Sequence, residues 1–194
     1  MIKNLELGKG FTLIELLVSL IILISVGAVT VAILTSSLRG SNKTNAMNNI
    51  RQNGSYAIIQ ISRAIQYAKT FDGLSTDGVN FTDNCVQSIP PSPTPTPTAV
   101  PYKFIKITSF DGGQTVYSCD PTLAPNTIAS NGASLLDTDS VFLGPFCSFV
   151  CVQGKTSDSP IINISFSLTS KKNLVENRVT VPFNTSVTIR NPQR

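Results

Sequence analysis

The chain has 194 residues, enough for one ordinary domain with something added. Hydrophobic residues make up 41% of it and charged residues only 13%, where globular domains carry about 25% charged. Disorder through charge repulsion is therefore excluded, and an ordinary cytosolic domain is a poor fit. There is no His and no Trp. The missing His removes Ser-His-Asp and Cys-His catalysis and every His-ligated zinc or iron centre. Glu occurs only at positions 6, 15 and 176, too few for a paired-Glu acid/base site. The net charge of +4 is spread thinly along the chain and marks no nucleic-acid surface. These counts favour a non-enzymatic protein, with no catalytic residue, cofactor or metal assigned.

Residues 1–10 (MIKNLELGKG) are short, basic and end in Gly. After them, Leu16 to Leu38 run for 23 residues without a charge, enough to cross a bilayer core of about 30 Å as a helix. Lys3 and Lys9 precede this run and mark its cytoplasmic side, so Arg39 and everything beyond are expected to be translocated. The run is longer than the apolar core of a secretory signal peptide, and no small-x-small cleavage site follows it. One residue is out of place. Glu15 sits at the start of the apolar run, where a carboxylate at membrane depth costs about 2.5–3.5 kcal/mol and usually has a partner. It could lie at the interface and snorkel. A cut after Gly10 would instead make Phe11 the first residue and Glu15 the fifth, beside a new positive amine and the positive end of the helix dipole.

Lys9-Gly10-Phe11-Thr12-Leu13-Ile14-Glu15, followed by about twenty apolar residues, resembles the processing motif of type IV pilins and type II secretion pseudopilins. The resemblance implies that a prepilin peptidase cuts after Gly10 and that Phe11 becomes a methylated N-terminus. It also implies that Glu15 serves assembly by neutralising the amine of a neighbouring subunit. The implied partners are other pilin-like subunits, that peptidase, an inner-membrane assembly platform and the membrane itself. The implied location is the cytoplasmic membrane with the C-terminal domain outside, and a pilus or pseudopilus after assembly. Many major pilins carry a Pro about 22 residues after the cut, where this chain has Ala32.

Ser36–Asn53 is polar with modest helix propensity, and Gly27, Gly40 and Gly54 are expected weak points, each costing about 1 kcal/mol against Ala. In Asn53–Ala68, Ile58, Ile61, Ile65 and Ala68 form one apolar helical face. A helix from Phe11 to about Ala68 follows, its first half in membrane or filament core and its second half against a sheet. RQNGSYAIIQISRAIQYA also resembles the corresponding region of J-type minor pseudopilins and W-type minor pilins, with Arg63 matching a Ser-Arg or Ala-Arg pair.

Past Asp72 the pattern becomes strand-like. Tyr102–Phe110, an Asp111-Gly112-Gly113 turn and Gln114–Cys119 read as a hairpin. Val141–Val152 reads as a central strand bent at Gly144-Pro145. Ile162, Ile164, Phe166 and Leu168 alternate with polar residues, Lys171-Lys172-Asn173 turns the chain, and Val179–Phe183 and Ser186–Arg190 complete an antiparallel sheet. The expected fold is α+β, a long helix laid on an antiparallel sheet in the manner of pilins. The FNTSVTIRN ending also resembles the terminal strand of many minor pilins.

The domain scheme is a leader (1–10), a transmembrane or filament-core half-helix (11–38), a soluble half-helix (39–69) and an extracytoplasmic β domain (70–194). Within the last, residues 87–101 hold six prolines in fifteen positions and read as an extended exposed insertion, with Thr94, Thr96 and Thr98 able to carry glycans. The N-x-Ser/Thr matches at Asn42, Asn53, Asn80, Asn163 and Asn184 are put down to composition.

Cys85, Cys119, Cys147 and Cys151 imply two disulfides if the domain is exported. On a regular strand Cys147 and Cys151 would share a face about 13 Å apart, too far to bond unless the backbone turns. Three connectivities are open, of which 85–119 with 147–151 is favoured; a zinc site from all four is the runner-up, without a C-x-x-C pair to support it. Asp137-Thr138-Asp139 reads as a loop rather than a calcium site. Two functions compete: a minor pilin or pseudopilin subunit, and a membrane-anchored surface-binding or adhesion protein that uses the helix only as an anchor.

Overall fold

The computed structural model describes residues 11–85, 100–119, 126–154, 159–171 and 178–190. The chain divides between Thr44 and Asn45 into two compact units. A single helix, α1 (Leu13–Gln66), runs through both, and eight strands follow it in the second unit: β1 (Thr70–Ser75), β2 (Phe104–Thr108), β3 (Gln114–Cys119), β4 (Ile128–Ser130), β5 (Ala133–Ser134), β6 (Val141–Val152), β7 (Ile161–Ser170) and β8 (Thr180–Thr188). This is the expected α+β layout. The helix is 54 residues long and starts and ends two residues inside the expected limits.

Within the second unit, α1 buries Ala46, Ile50, Gly54, Ala57, Ile61 and Ile65. These recur every three or four residues, which makes one continuous stripe down the helix. The stripe starts earlier than Asn53, because the Asn- and Ser-rich middle of the helix still places Ala46 and Ile50 on the sheet side. Ile58, expected on this face, is only half-buried at its edge. Ile50, Ala57, Ile61 and Ile65 are fully buried with Phe149, Phe166, Ile105, Ile107, Ile162 and Ile164 in one core. Each large side chain so placed contributes about 1.5–3 kcal/mol relative to exposure. Gly54 is not the weak point expected. A Cβ there would collide with the ring of Phe183 on β8, so the missing side chain lets sheet and helix backbone approach. Gly27 and Gly40 meet nothing within 4 Å.

β1 to β5 form one antiparallel meander in chain order, and β6, β7 and β8 form a second antiparallel sheet. The single sheet expected from the sequence is therefore two. The expected hairpin is present: β2 pairs with β3 from Phe104↔Ser118 to Thr108↔Gln114, and the Gly113 amide donates to the Asp111 carboxylate at the turn. β4 and β5 are joined by Asn131-Gly132, both at positive φ (48° and 83°), the conformation a two-residue hairpin loop demands. The Asn131 side chain also accepts from the Val116 amide and donates to the Gln114 carbonyl, extending the β3–β4 contact beyond its backbone pairs.

β6 bends where Gly144-Pro145 predicted it. Leu143 pairs with Leu168 and Cys147 with Phe166, so Gly144, Pro145 and Phe146 together oppose Ser167. Pro145 has no amide to donate, and Gly144 lies where a side chain would collide with Ser167 Oγ. The two separate strands expected at the C-terminal end are one. Asn184 and Thr185 continue the ladder opposite Ser165 and Ile164, so β8 runs unbroken along β7.

The favoured disulfide pairing is corrected. Cys85 bonds Cys151 and Cys119 bonds Cys147, with Cα separations of 5.3 and 5.5 Å. Cys147 and Cys151 lie on the same regular stretch of β6, past its bend, and both face the core. They point the same way and cannot reach each other, so each takes a partner from outside the strand. The Cys119–Cys147 bond joins the two sheets, as does a backbone bridge in which Tyr102 and Phe149 exchange both hydrogen bonds at 2.8 Å. Cys85 ties the segment after β1 to β6.

Two outcomes follow. Gly54→Ala, which would stabilise an exposed helix by about 1 kcal/mol, instead destabilises the fold by about 1–3 kcal/mol through overpacking against Phe183. Denaturant unfolding should show that loss shrinking in the Phe183→Leu background and absent for Gly40→Ala; additive effects of the two core changes would disprove the contact. For the cysteines, Lys106 and Lys155 are successive tryptic sites, so Cys119, Cys147 and Cys151 share one tryptic peptide. Non-reducing peptide mapping with added cleavage after Phe149 should recover 85–151 and 119–147, and a 147–151 bond would refute the assignment.

Candidate functional site

The segment singled out by the sequence opens α1. Phe11 and Thr12 precede the first helical residue, and Phe11 is 76% exposed. Thr12 caps the helix: its carbonyl accepts from the amides of Glu15 and Leu16, and its hydroxyl accepts from the Glu15 amide at 3.3 Å. Thr12-x-x-Glu15 is thus a Thr-to-Glu N-terminal box, a signal present in the sequence and passed over there. Glu15 lies in the first turn, exposed, where the helix dipole favours a carboxylate. Among the described residues it has no ion-pair partner. Gly10, the expected cleavage residue, lies outside the described residues.

Beyond Glu15 the helix is apolar and bare. Leu13, Ile14 and the large side chains from Leu16 to Leu38 are all between 48% and 82% exposed. An 18-residue window reaches a mean hydropathy of 2.8 with none of it buried. The helix is long and apolar enough to cross a membrane. Its polar side chains are handled internally. Ser19 donates to the Leu16 carbonyl, Ser25 to Ile21, Thr30 to Val26 and Gly27, and Thr35 to Val31 and Ala32. Every hydroxyl between Leu16 and Thr35 is therefore satisfied without water, the condition that lipid imposes on a spanning helix.

The other nominated residues have structural employment. Arg63 is exposed in the last turn of α1, where a cation complements the helix dipole. All four cysteines are consumed in disulfides, which leaves no thiolate for zinc. Asp137 accepts from the Asp139 amide and the Ser140 hydroxyl, while its own amide donates to Asn53 Oδ1 on the helix. Among the described residues no group of three or more His, Cys, Asp or Glu could hold a metal ion. Asn53, Asn80 and Asn163 have their side chains engaged with Asn49 and Asp137, with Asp77, and with Ser186. Thr94, Thr96 and Thr98, and all of the Pro-rich insertion but Val100 and Pro101, lie outside the described residues.

Two titrations are shifted, and both are structural. The Asp77 carboxyl is held well below the usual range, first by the Ser75 hydroxyl, then by the amides of Asn80 and Val79 and the Asn80 side chain. It closes the exposed turn after β1. Burial pushes the Tyr117 phenol up, against an opposing hydrogen bond from Ser130. Neither lies among groups arranged to attack or protonate a substrate.

The geometry therefore brings Phe11, Thr12 and Glu15 together at the head of an unburied apolar helix, and gathers no catalytic constellation around them. Comparison with protein-family models, with curated proteins and with solved structures finds no match to this chain.

Proposed function

We propose that the chain is a minor pilin or pseudopilin, a non-enzymatic subunit of a type IV pilus-like or type II secretion fibre. In this reading it is cut after Gly10, methylated on Phe11 and assembled from the inner membrane through Glu15. The observation that carries it is the division of one helix. From Asn45 onward α1 gives a full face to the core, whereas its capped, Glu-bearing head and apolar run bury nothing in their own chain. A helix of that kind needs lipid first and neighbouring helices afterwards. Two disulfides joining distant parts of the β domain support an oxidising compartment beyond the membrane. The polar middle of the helix, with Gly40, and the Pro-rich insertion favour a rare position with unlike neighbours over a place in a uniform fibre.

Intact mass of the membrane-extracted protein should give a chain beginning at methylated Phe11. Retention of Met1 would instead support the anchor reading, in which the helix only tethers a surface-binding domain.

Glu15 separates assembly from insertion, since removing its charge only makes the helix more apolar. Glu15→Ala should insert and be processed as before, yet be missing from sheared filaments in which the unaltered chain is a substoichiometric component. Quantitative mass spectrometry of those filaments decides both points; normal incorporation of the variant, or this chain as the most abundant subunit, would count against the proposal.

A further inference from the structure

At one end of the three-stranded sheet an open cleft of about 370 Å³ is lined by Asn126, Thr138, Val141, Phe142, Lys171 and Arg178, a size at the small end of ligand pockets. The residues come from four separate places in the chain, and the backbone pins them together. Leu143 donates to the Asn126 carbonyl at 3.1 Å, Lys171 to the Ser140 carbonyl at 2.9 Å, and Ser170 to the Val179 carbonyl at 3.0 Å. The two cations are held in place. Lys171 Nζ donates to the Thr138 carbonyl at 2.9 Å, which leaves two of its three N–H groups free of described partners. The Arg178 guanidinium lies over the Phe142 ring, 5.7 Å from its centroid, an arrangement that holds the planar fork without using its donors.

No acidic side chain lines the cleft, and neither cation forms an ion pair with a described residue. The nearest acids in sequence are Asp137 and Asp139. Asp137 is occupied by Ser140 and by the Asp139 amide. Two positive groups with spare donors thus converge on a space that holds no compensating charge. An Arg fork beside an ammonium matches an oxyanion.

The rest of the lining narrows the choice. Val141 and Phe142 supply an apolar wall, while Asn126 and Thr138 supply an amide and a hydroxyl. A bare phosphate or acetate would satisfy the cations and leave the wall and the volume unfilled. A compact ring that carries a carboxylate, several hydroxyls and a C–H face would meet all three. We propose that this cleft binds an acidic monosaccharide unit of the uronic acid class, its carboxylate between Lys171 and Arg178 and its ring against Val141 and Phe142. The site belongs to the second unit alone and stands apart from the filament reading.

The test uses the full chain in detergent micelles, titrated with glucuronate and galacturonate and, for comparison, glucose, acetate and inorganic phosphate. Binding is followed by calorimetry and by the amide NMR shifts of Thr138, Phe142, Lys171 and Arg178. At least one uronate should bind, glucose should not, and acetate and phosphate should bind about tenfold more weakly or worse. Lys171→Gln and Arg178→Gln should each weaken uronate binding about tenfold, with both disulfides intact. The first of these variants keeps the Arg178–Phe142 stack, so its loss of binding cannot come from collapse of that contact. Absence of uronate binding, phosphate binding as tight as uronate, or unaltered binding by Lys171→Gln would overturn the proposal.

Discussion

The ring of Phe183 lies against the bare backbone of Gly54, and the second unit is organised around that approach. With a side chain at position 54 the helix would have to move off the sheet. Ile50 and Ala57 on one side, and Ile61 and Ile65 further along, would then lose the close packing that makes them fully buried. The contact propagates into the sheet, because Phe183 stacks on Phe166 with ring centroids 5.2 Å apart. Phe166 is opposite Cys147 on β6, and Cys147 is bonded to Cys119 on β3. Helix, three-stranded sheet and five-stranded sheet are thus linked by one short chain of contacts.

The head of the helix obeys a different constraint. Its side chains make no core, and its four hydroxyls between Leu16 and Thr35 turn back onto the preceding turn. A helix in water gains little from such bonds, since Ser and Thr can find water instead. In lipid each unsatisfied donor would cost several kcal/mol, by the order of magnitude for polar groups in hydrocarbon. The same segment can exchange lipid for other apolar helices without remaking a single hydrogen bond, which is what a subunit passing from membrane to fibre requires under the proposed function. Glu15 is the exception, an exposed charge among exposed apolar side chains, and the proposed function gives that exception a purpose.

The β domain holds its shape by covalent and backbone ties more than by a large core. Each disulfide of this kind contributes about 2–4 kcal/mol, chiefly by restricting the unfolded chain. Both bonds converge on β6 within five residues, past the bend at Gly144-Pro145. The bend and the bonds are connected: with Pro145 interrupting the ladder, the outer half of β6 depends on Cys147, Phe149 and Cys151 for its hold on the neighbouring sheet. At the other end of β6, Val141 and Phe142 form the wall of the cationic cleft. A strand held firmly along its length offers its starting end as a rigid surface for recognition.

What depends on near neighbours was written in the sequence. The 23-residue uncharged run, the alternation along β7, the Asp111-Gly112-Gly113 turn and the bend at Gly144-Pro145 all follow from periodicity, turn chemistry or a missing amide. So did the reason Cys147 and Cys151 cannot join, although the pairing favoured from sequence ignored it. What depends on separate segments meeting was decided only by the tertiary structure. Gly54 reads as a helix weak point until Phe183 lies across it. Ala46 and Ile50 look like part of a polar linker until a sheet covers them. The split into two sheets, the partners of each cysteine, and the meeting of Lys171, Arg178 and Phe142 at one cleft all require residues far apart in the chain to share a place. Local chemistry specifies how a segment folds, but which segments it then touches is set by the packing of the whole domain.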